Sequence, residues 1–261
     1  MKYLLFFLVA FNTIYSVNSK EFIDQDKMEP TINKSELNFV GYVKDEKNIN
    51  LGLCFAINEN TVVTNASSLQ TRILIPDTLF VNGQQIISKK EIGRKWVDSS
   101  KLTLTIEGTT YDIEKVIPHP DYNESNSYLP DIAMIITKNS ISCNYPQRNS
   151  SSIVKNLFCG VIGSESSIFY RRVKVSETFN TKSYNYCNVL LDTNDNKNSI
   201  KNEFKFDTND LGSVLVKESE NDVVIIGLIQ KHQTDDKKAV YLDLFGLDEW
   251  LNSNAVSQIT K

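Results

Sequence analysis

Two histidines, His119 and His232, are the only side chains in this 261-residue chain that ordinarily titrate near neutral pH, so proton-transfer chemistry rests on them. His119 lies in Val116-Ile117-Pro118-His119-Pro120-Asp121-Tyr122 and reads as a structural residue of a surface loop. His232 closes the triplet Gln230-Lys231-His232, directly after the apolar run Val223-Val224-Ile225-Ile226-Gly227-Leu228-Ile229, and reads as a solvated loop histidine. Asp131 heads the apolar run Ile132-Ala133-Met134-Ile135-Ile136. Four cysteines complete the reactive groups; Cys54 sits in the apolar run Leu51–Ile57, where a buried thiol is inert. No zinc spacing, glycine-rich phosphate loop, EF-hand or basic-aromatic patch is present, so neither a metal nor a cofactor is expected.

The elements that must position these groups are short. From Leu37 onward, β-rich runs alternate with turn clusters, the signal of an all-β sandwich or barrel. Asn38–Val43, Leu51–Ile57, Thr61–Thr64, Phe158–Ser164, Arg172–Val175, Cys187–Leu191, Val223–Ile229 and Ala239–Tyr241 read as strands. Leu244, Leu247 and Leu251 recur at i, i+3 and i+7, the spacing of one buried helical face. The Asn/Ser-rich residues 138–156 read as a connector between two halves, and Asp192 to Asn202 as a polar loop.

The net charge of −4, without a long basic run, argues against a nucleic-acid or anionic-membrane partner. Residues 1–19 read as a secretory signal peptide. Lys2 precedes the apolar run Tyr3–Phe11, which is too short to span a bilayer, and Val17 and Ser19 suit cleavage after Ser19. Residues 20–36 form a polar arm. Secretion places Cys54, Cys143, Cys159 and Cys187 in an oxidising compartment where they can pair; all three connectivities stay open. Asn33, Asn123 and Asn149 are candidate glycosylation sites, whereas the sequon at Asn65 sits in an apolar strand context and is expected to be unused.

The stretch Thr208-Asn209-Asp210-Leu211-Gly212-Ser213-Val214-Leu215-Val216 resembles the Gly-Asp-Ser-Gly-Gly-Pro-Leu-Val signature of trypsin-like (chymotrypsin-fold) serine proteases. Asp210, Gly212, Leu215 and Val216 match, while Leu211 stands at the position of the nucleophilic serine. Asn209 stands at the glycine that lends an oxyanion-hole amide. The hairpin from Leu51 to Ser68 resembles the family's Cys-Gly-Gly-Ser-Leu-Ile…Val-Leu-Thr-Ala-Ala-His-Cys. Ser67 takes the histidine position, Ser68 the following cysteine and Gly52 its disulfide partner, so both halves of that crosslink are missing together. His119-Pro120-Asp121-Tyr122 and Asp131–Ile136 resemble the His-Pro-x-Tyr loop and the Asp-Ile-Ala-Leu-Leu strand, and Asp131 matches the triad aspartate. Phe158–Ser164, Val223–Ile229 and Ala239–Leu251 resemble further strands and the closing helix of the family.

The resemblance covers roughly residues 37–255. It implies an all-β fold of two packed six-stranded antiparallel β-barrels, about 37–137 and 157–242, with a C-terminal α-helix at about 243–253. A leucine has no hydroxyl to activate, and a serine at position 67 cannot take and return the proton as an imidazole does. No Ile-Val-Gly-Gly-like start is present; Thr31-Ile32-Asn33-Lys34 is a poor match. Ser213 does not replace the nucleophile, since its strand faces inward. The resemblance therefore implies a secreted, catalytically inactive homologue that works by binding a protein, such as an active protease or another cascade component. The face implied is built from Lys205, Gln230, Lys231 and His232, where Gln230-Lys231-His232 replaces the Ser-Trp-Gly substrate edge. The alternative is a divergent active serine-type endopeptidase with a relocated catalytic centre.

Overall fold

The computed structural model describes residues 37–256 apart from 83, 127–128, 156, 165–167, 182, 192–210, 219–222 and 233–237. Strands β1 (Val40–Lys44), β2 (Asn50–Asn58) and β3 (Thr61–Thr64) are followed by a two-stranded hairpin, β4 (Gln70–Val81) and β5 (Gln84–Trp96). Next come β6 (Thr103–Ile106), β7 (Thr109–Pro118) and β8 (Ala133–Thr137). Without the hairpin, these strands close an antiparallel six-stranded barrel in the order β1-β2-β3-β8-β7-β6, compatible with a chymotrypsin-like fold.

Strands β2 and β8 read as apolar runs because both of their faces are covered, whereas β6 and β7 alternate between buried and more exposed positions. Along β2, Cys54 and Ala56 point into the barrel core with Val43, Leu104 and Ile135. Leu53 and Phe55 point the other way, into a cluster shared with Val214, Leu228, Leu242 and Leu251 of the second half. Val62 and Val63 on β3, and Ile135 and Met134 on β8, divide in the same way. This is the two-residue period of a strand buried on both sides. Each Val, Leu, Ile, Met or Phe among these side chains, fully removed from water, contributes about 1.5–3 kcal/mol.

The second half begins with the short β9 (Gln147–Arg148), inside the expected connector, then β10 (Phe158–Ser164), β11 (Ile168–Thr181) and β12 (Tyr184–Leu191). It continues with β13 (Val214–Glu218), β14 (Val223–His232) and β15 (Lys238–Asp243). These form a seven-stranded sheet in the order β13-β10-β11-β12-β15-β14-β9, in which β13 pairs with β14 as well as with β10. Val173, Val189, Leu215, Ile226 and Tyr241 fill its inner face. The chain closes with a 3-10 turn, Phe245–Leu247, and helix α1 (Asp248–Val256). Leu244, Leu247 and Leu251 are buried as their spacing predicts. The helix starts later than position 243 because Asp243 ends β15, where its carboxylate accepts the backbone N–H groups of Ile153 (2.9 Å) and Phe245 (3.0 Å).

All four cysteines are free thiols, so the expected disulfide pairing is corrected. Cys54 points into the barrel core, whereas Cys159 and Cys187 belong to the core of the other sheet. Cys159 on β10 and Cys187 on β12 have β11 between them and lie out of register, Cys159 facing Val173 and Cys187 facing Thr178. Two strand spacings alone come to roughly 9–10 Å and the offset along β11 adds to that, so their Cα atoms lie beyond the approximately 7 Å reach of a disulfide. Burial pushes the thiols up, to about 11 at Cys143 and about 12 at Cys159, so they stay protonated and unreactive at neutral pH.

Candidate functional site

β3 and β8 are antiparallel neighbours with Thr64 opposite Ala133, which brings the end of one strand beside the start of the other. Ser67 opens the 3-10 turn Ser67–Leu69 after β3, and Asp131 lies just before β8. The Ser67 N–H donates to Asp131 Oδ1 at 2.7 Å and its hydroxyl donates to Oδ2 at 2.5 Å. Burial pushes the Asp131 carboxyl above its ordinary value, while hydrogen bonds from Ser67 and Ala66 pull it back down.

Leu211 borders the same spot, held by its backbone: its carbonyl accepts the Leu53 N–H at 2.8 Å. Gly212 follows with φ +84°, and a Cβ there would lie 1.8 Å from the Leu53 carbonyl oxygen, so both conformation and space demand glycine. A Cβ placed on Gly52 would lie 3.3 Å from the Ser68 Cβ. These two positions, expected to have lost a crosslink together, are indeed side by side, close to the roughly 3.5–4.5 Å of a disulfide. Ser213 faces inward, fully buried; its hydroxyl donates to the Ile162 carbonyl at 2.9 Å and lies 3.0 Å from the Tyr241 hydroxyl.

The residue that unites the site is Asn65, which motif reading weighs only as a sequon. It is fully buried. Its Nδ2 donates to the carbonyls of Asp131 (2.8 Å) and Ile229 (2.7 Å), and its Oδ1 accepts the Gly212 N–H at 2.5 Å. One amide thus ties β3, the approach to β8, β14 and the Leu211-Gly212 loop. The available signal was a polar residue ending an apolar strand. Gln230 reinforces the tie: its Oε1 accepts the Asp131 N–H at 2.7 Å and its Nε2 donates to the Ile229 carbonyl at 2.9 Å. At 9% exposure, Gln230 offers the surface its flank rather than an uncommitted amide.

Two clefts meet here. One, of about 350 Å³, is lined by Ser67 and Ser68 from the barrel, Leu211 and Gln230 from the second half, and Gln70, Arg72 and Arg94 from the base of the hairpin. The other, of about 190 Å³, is lined by Ser67, Asp131, Arg94, Tyr122 and Glu124. The Arg94 guanidinium bonds Glu91 at 3.0 Å and reaches Glu124 at 3.4 Å. Burial raises the Tyr122 phenol to about 12, so it stays neutral. Among the described residues, neither lining contains a histidine or a cysteine.

His119 is 7% exposed, with the rings of Trp250 (4.8 Å) and Tyr184 (5.6 Å) against it. Its Nδ1 accepts the Asp121 N–H at 3.2 Å, and burial lowers its pKa. It is a neutral brace between the barrel, β12 and α1. Lys231 and His232 continue β14, opposite Val240 and Ala239, but their side chains lie outside the described residues. So do Lys205, Asn209, Asp210, Asn33, and residues 1–19 and 20–36, expected to be a signal peptide and a polar arm. Asn123 is exposed and Asn149 partly so. Among the described residues no cluster of His, Cys, Asp and Glu is arranged to hold a metal ion. A scan against protein-family models matches none, and a search of curated proteins finds no match.

Proposed function

We propose that this protein is a secreted, catalytically inactive homologue of trypsin-like serine proteases that acts by binding another protein. The observation that carries this reading is the Ser67–Asp131 pair beside Leu211. The aspartate that would orient an imidazole is bonded to a hydroxyl, and the adjoining position offers a hydrocarbon side chain. Acyl transfer needs a base titrating near neutrality within reach of a nucleophile, and no described residue around the clefts supplies one. The strand order supports the finer fold reading. β13, β10, β11, β12, β15 and β14 pair in succession, and β14 pairs again with β13, as a second six-stranded barrel requires.

The partner is a protein, an active protease or a component of its cascade, met by the face that includes Lys205 and the end of β14, where Gln230, Lys231 and His232 lie in a strand rather than in the expected loop. The test combines chemistry with binding. The purified protein is expected to resist a serine-directed fluorophosphonate and to leave fluorogenic peptides uncut. Labelling that heat denaturation abolishes would establish instead an active endopeptidase with a relocated centre. In the secreted fluid of the source tissue, a partner is expected to co-purify with wild type and to be lost with Lys231→Ala and His232→Ala. Equal retention by both variants would move the interface elsewhere.

A further inference from the structure

The β4–β5 hairpin leaves the barrel and exposes its apolar side chains to water. Its strands pack extensively only on each other. Phe80 and Ile87, each 75% exposed, share one face of the ribbon; Ile86 (46%) and Ile75 (42%) lie on the opposite face. We propose that this hairpin is a surface anchor whose tip enters the interface of an anionic lipid bilayer.

Three observations favour a bilayer over a protein groove. First, the exposed apolar residues occupy both faces of a two-stranded ribbon. A groove covers one face, whereas a bilayer interface surrounds a tip that dips into it. Second, a basic collar stands just behind the tip. Lys89, opposite Pro76, shares the face of Phe80 and Ile87, and Lys90, opposite Ile75, shares the face of Ile86. Both lysines are exposed and neither forms an ion pair among the described residues. Third, the charge is local. Arg72, Lys89, Lys90, Arg94 and Lys95 against Asp77 and Glu91 give residues 70–96 a charge of +3 in a chain totalling −4, so the remainder is −7. The acidity that argues against an anionic membrane belongs to the rest of the molecule.

The anchor has a defined geometry. Its base is fastened beside the clefts, where the Trp96 ring meets Tyr122 edge-on at 5.8 Å and the Tyr122 hydroxyl donates to Gln70 Oε1 at 2.9 Å. The twelve residues of β4 span about 40 Å, of which the five steps from Gln70 to the collar at Ile75 hold the clefts roughly 17 Å above a lipid surface that the collar meets. No helix among the described residues is long and apolar enough to cross a membrane, and a tip seated in the interface needs none. The anchor does not depend on the protease-homologue reading.

The experiment is flotation of the purified full chain with vesicles of phosphatidylcholine alone and of phosphatidylcholine with phosphatidylserine. Wild type is expected to float with the anionic vesicles. Phe80→Ser with Ile87→Ser is expected to abolish flotation. Lys89→Gln with Lys90→Gln is expected to weaken it about thirty-fold, since each cation near an anionic surface contributes roughly a five-fold factor. All variants keep the same N-terminus and alter only exposed side chains, and an unchanged Tm checks their folding. Wild type that does not float, or tip variants that float like wild type, would overturn the anchor. So would light scattering that shows a wild-type dimer made monomeric by the tip changes without vesicle binding, which would assign the ribbon to a second copy of the chain.

Discussion

Asn65 and Gly212, 147 positions apart in sequence, are joined at 2.5 Å by a hydrogen bond from the glycine N–H to the buried amide oxygen. The same amide donates to two carbonyls, on the approach to β8 and on β14. Replacing Asn65 by Ala orphans a buried donor and opens a void, and is expected to cost about 3 kcal/mol in urea denaturation. Asn65→Asp keeps the acceptor but turns a carboxylate toward two carbonyl oxygens. Its folded-state pKa must then rise, so its deficit is expected to be greatest at neutral pH and to shrink as the solution is acidified. A deficit independent of pH would mean that the side chain has left the site. The burial also predicts that glycopeptide mapping finds no glycan at Asn65.

Asp131 allows a gentler exchange. In Asp131→Asn, Oδ1 still accepts the Ser67 N–H and the new amide donates to the Ser67 hydroxyl, so the change at neutral pH is expected to be about 1 kcal/mol. The wild-type carboxyl is raised in the folded state above its ordinary 3.8. Its contribution is therefore fully present below that value and is lost as pH rises through the folded pKa. The variant lacks this loss, so its stability relative to wild type is expected to improve with rising pH across that window. A loss beyond about 3 kcal/mol at neutral pH would contradict the exchange.

The neighbouring positions Gly52 and Ser68 invite a crosslink. Gly52→Cys with Ser68→Cys is expected to oxidise in air, detected as a mass loss of two hydrogens with the four native thiols still titratable. A crosslink of this loop length contributes about 3 kcal/mol in the chain-entropy description. The Leu211 carbonyl oxygen, 3.0 Å from the new Cβ, must shift slightly and reduces that gain. Failure to oxidise would show that β2 and the 3-10 turn carrying Ser68 are further apart than described.

Restoring the absent groups, Ser67→His with Leu211→Ser, is not expected to yield a protease. Catalysis also needs backbone donors aimed at a developing oxyanion, and the resemblance gives that amide to position 209, where asparagine replaces a glycine whose backbone freedom the turn uses. Losing even one such donor costs about 10²- to 10³-fold in the serine protease subtilisin. Turnover of fluorogenic peptides by the double variant, abolished on reverting position 211 to leucine, would show that the donors converge after all.

The sequence by itself determined the barrel strands β2 and β8, because runs such as Leu53–Ala56 and Ala133–Ile136 must be apolar on both faces, and that leaves a mark on consecutive residues; β6 and β7, which alternate with polar residues, are not among the strands expected from it. It determined Gly212 for a similarly local reason, a backbone conformation and an approach that only glycine tolerates. The hairpin was equally legible in its Asn82-Gly83 turn between apolar runs, with Asn82 at φ +50°, although matching the chain to protease motifs passes over it. What only the tertiary structure decided are relations between distant residues: Asn65 as a tie, Gln230 turned inward, four cysteines left apart. A side chain's type states which hydrogen bonds it can make. Which carbonyls and amides arrive within about 3 Å of it depends on strands that meet only when both halves have folded.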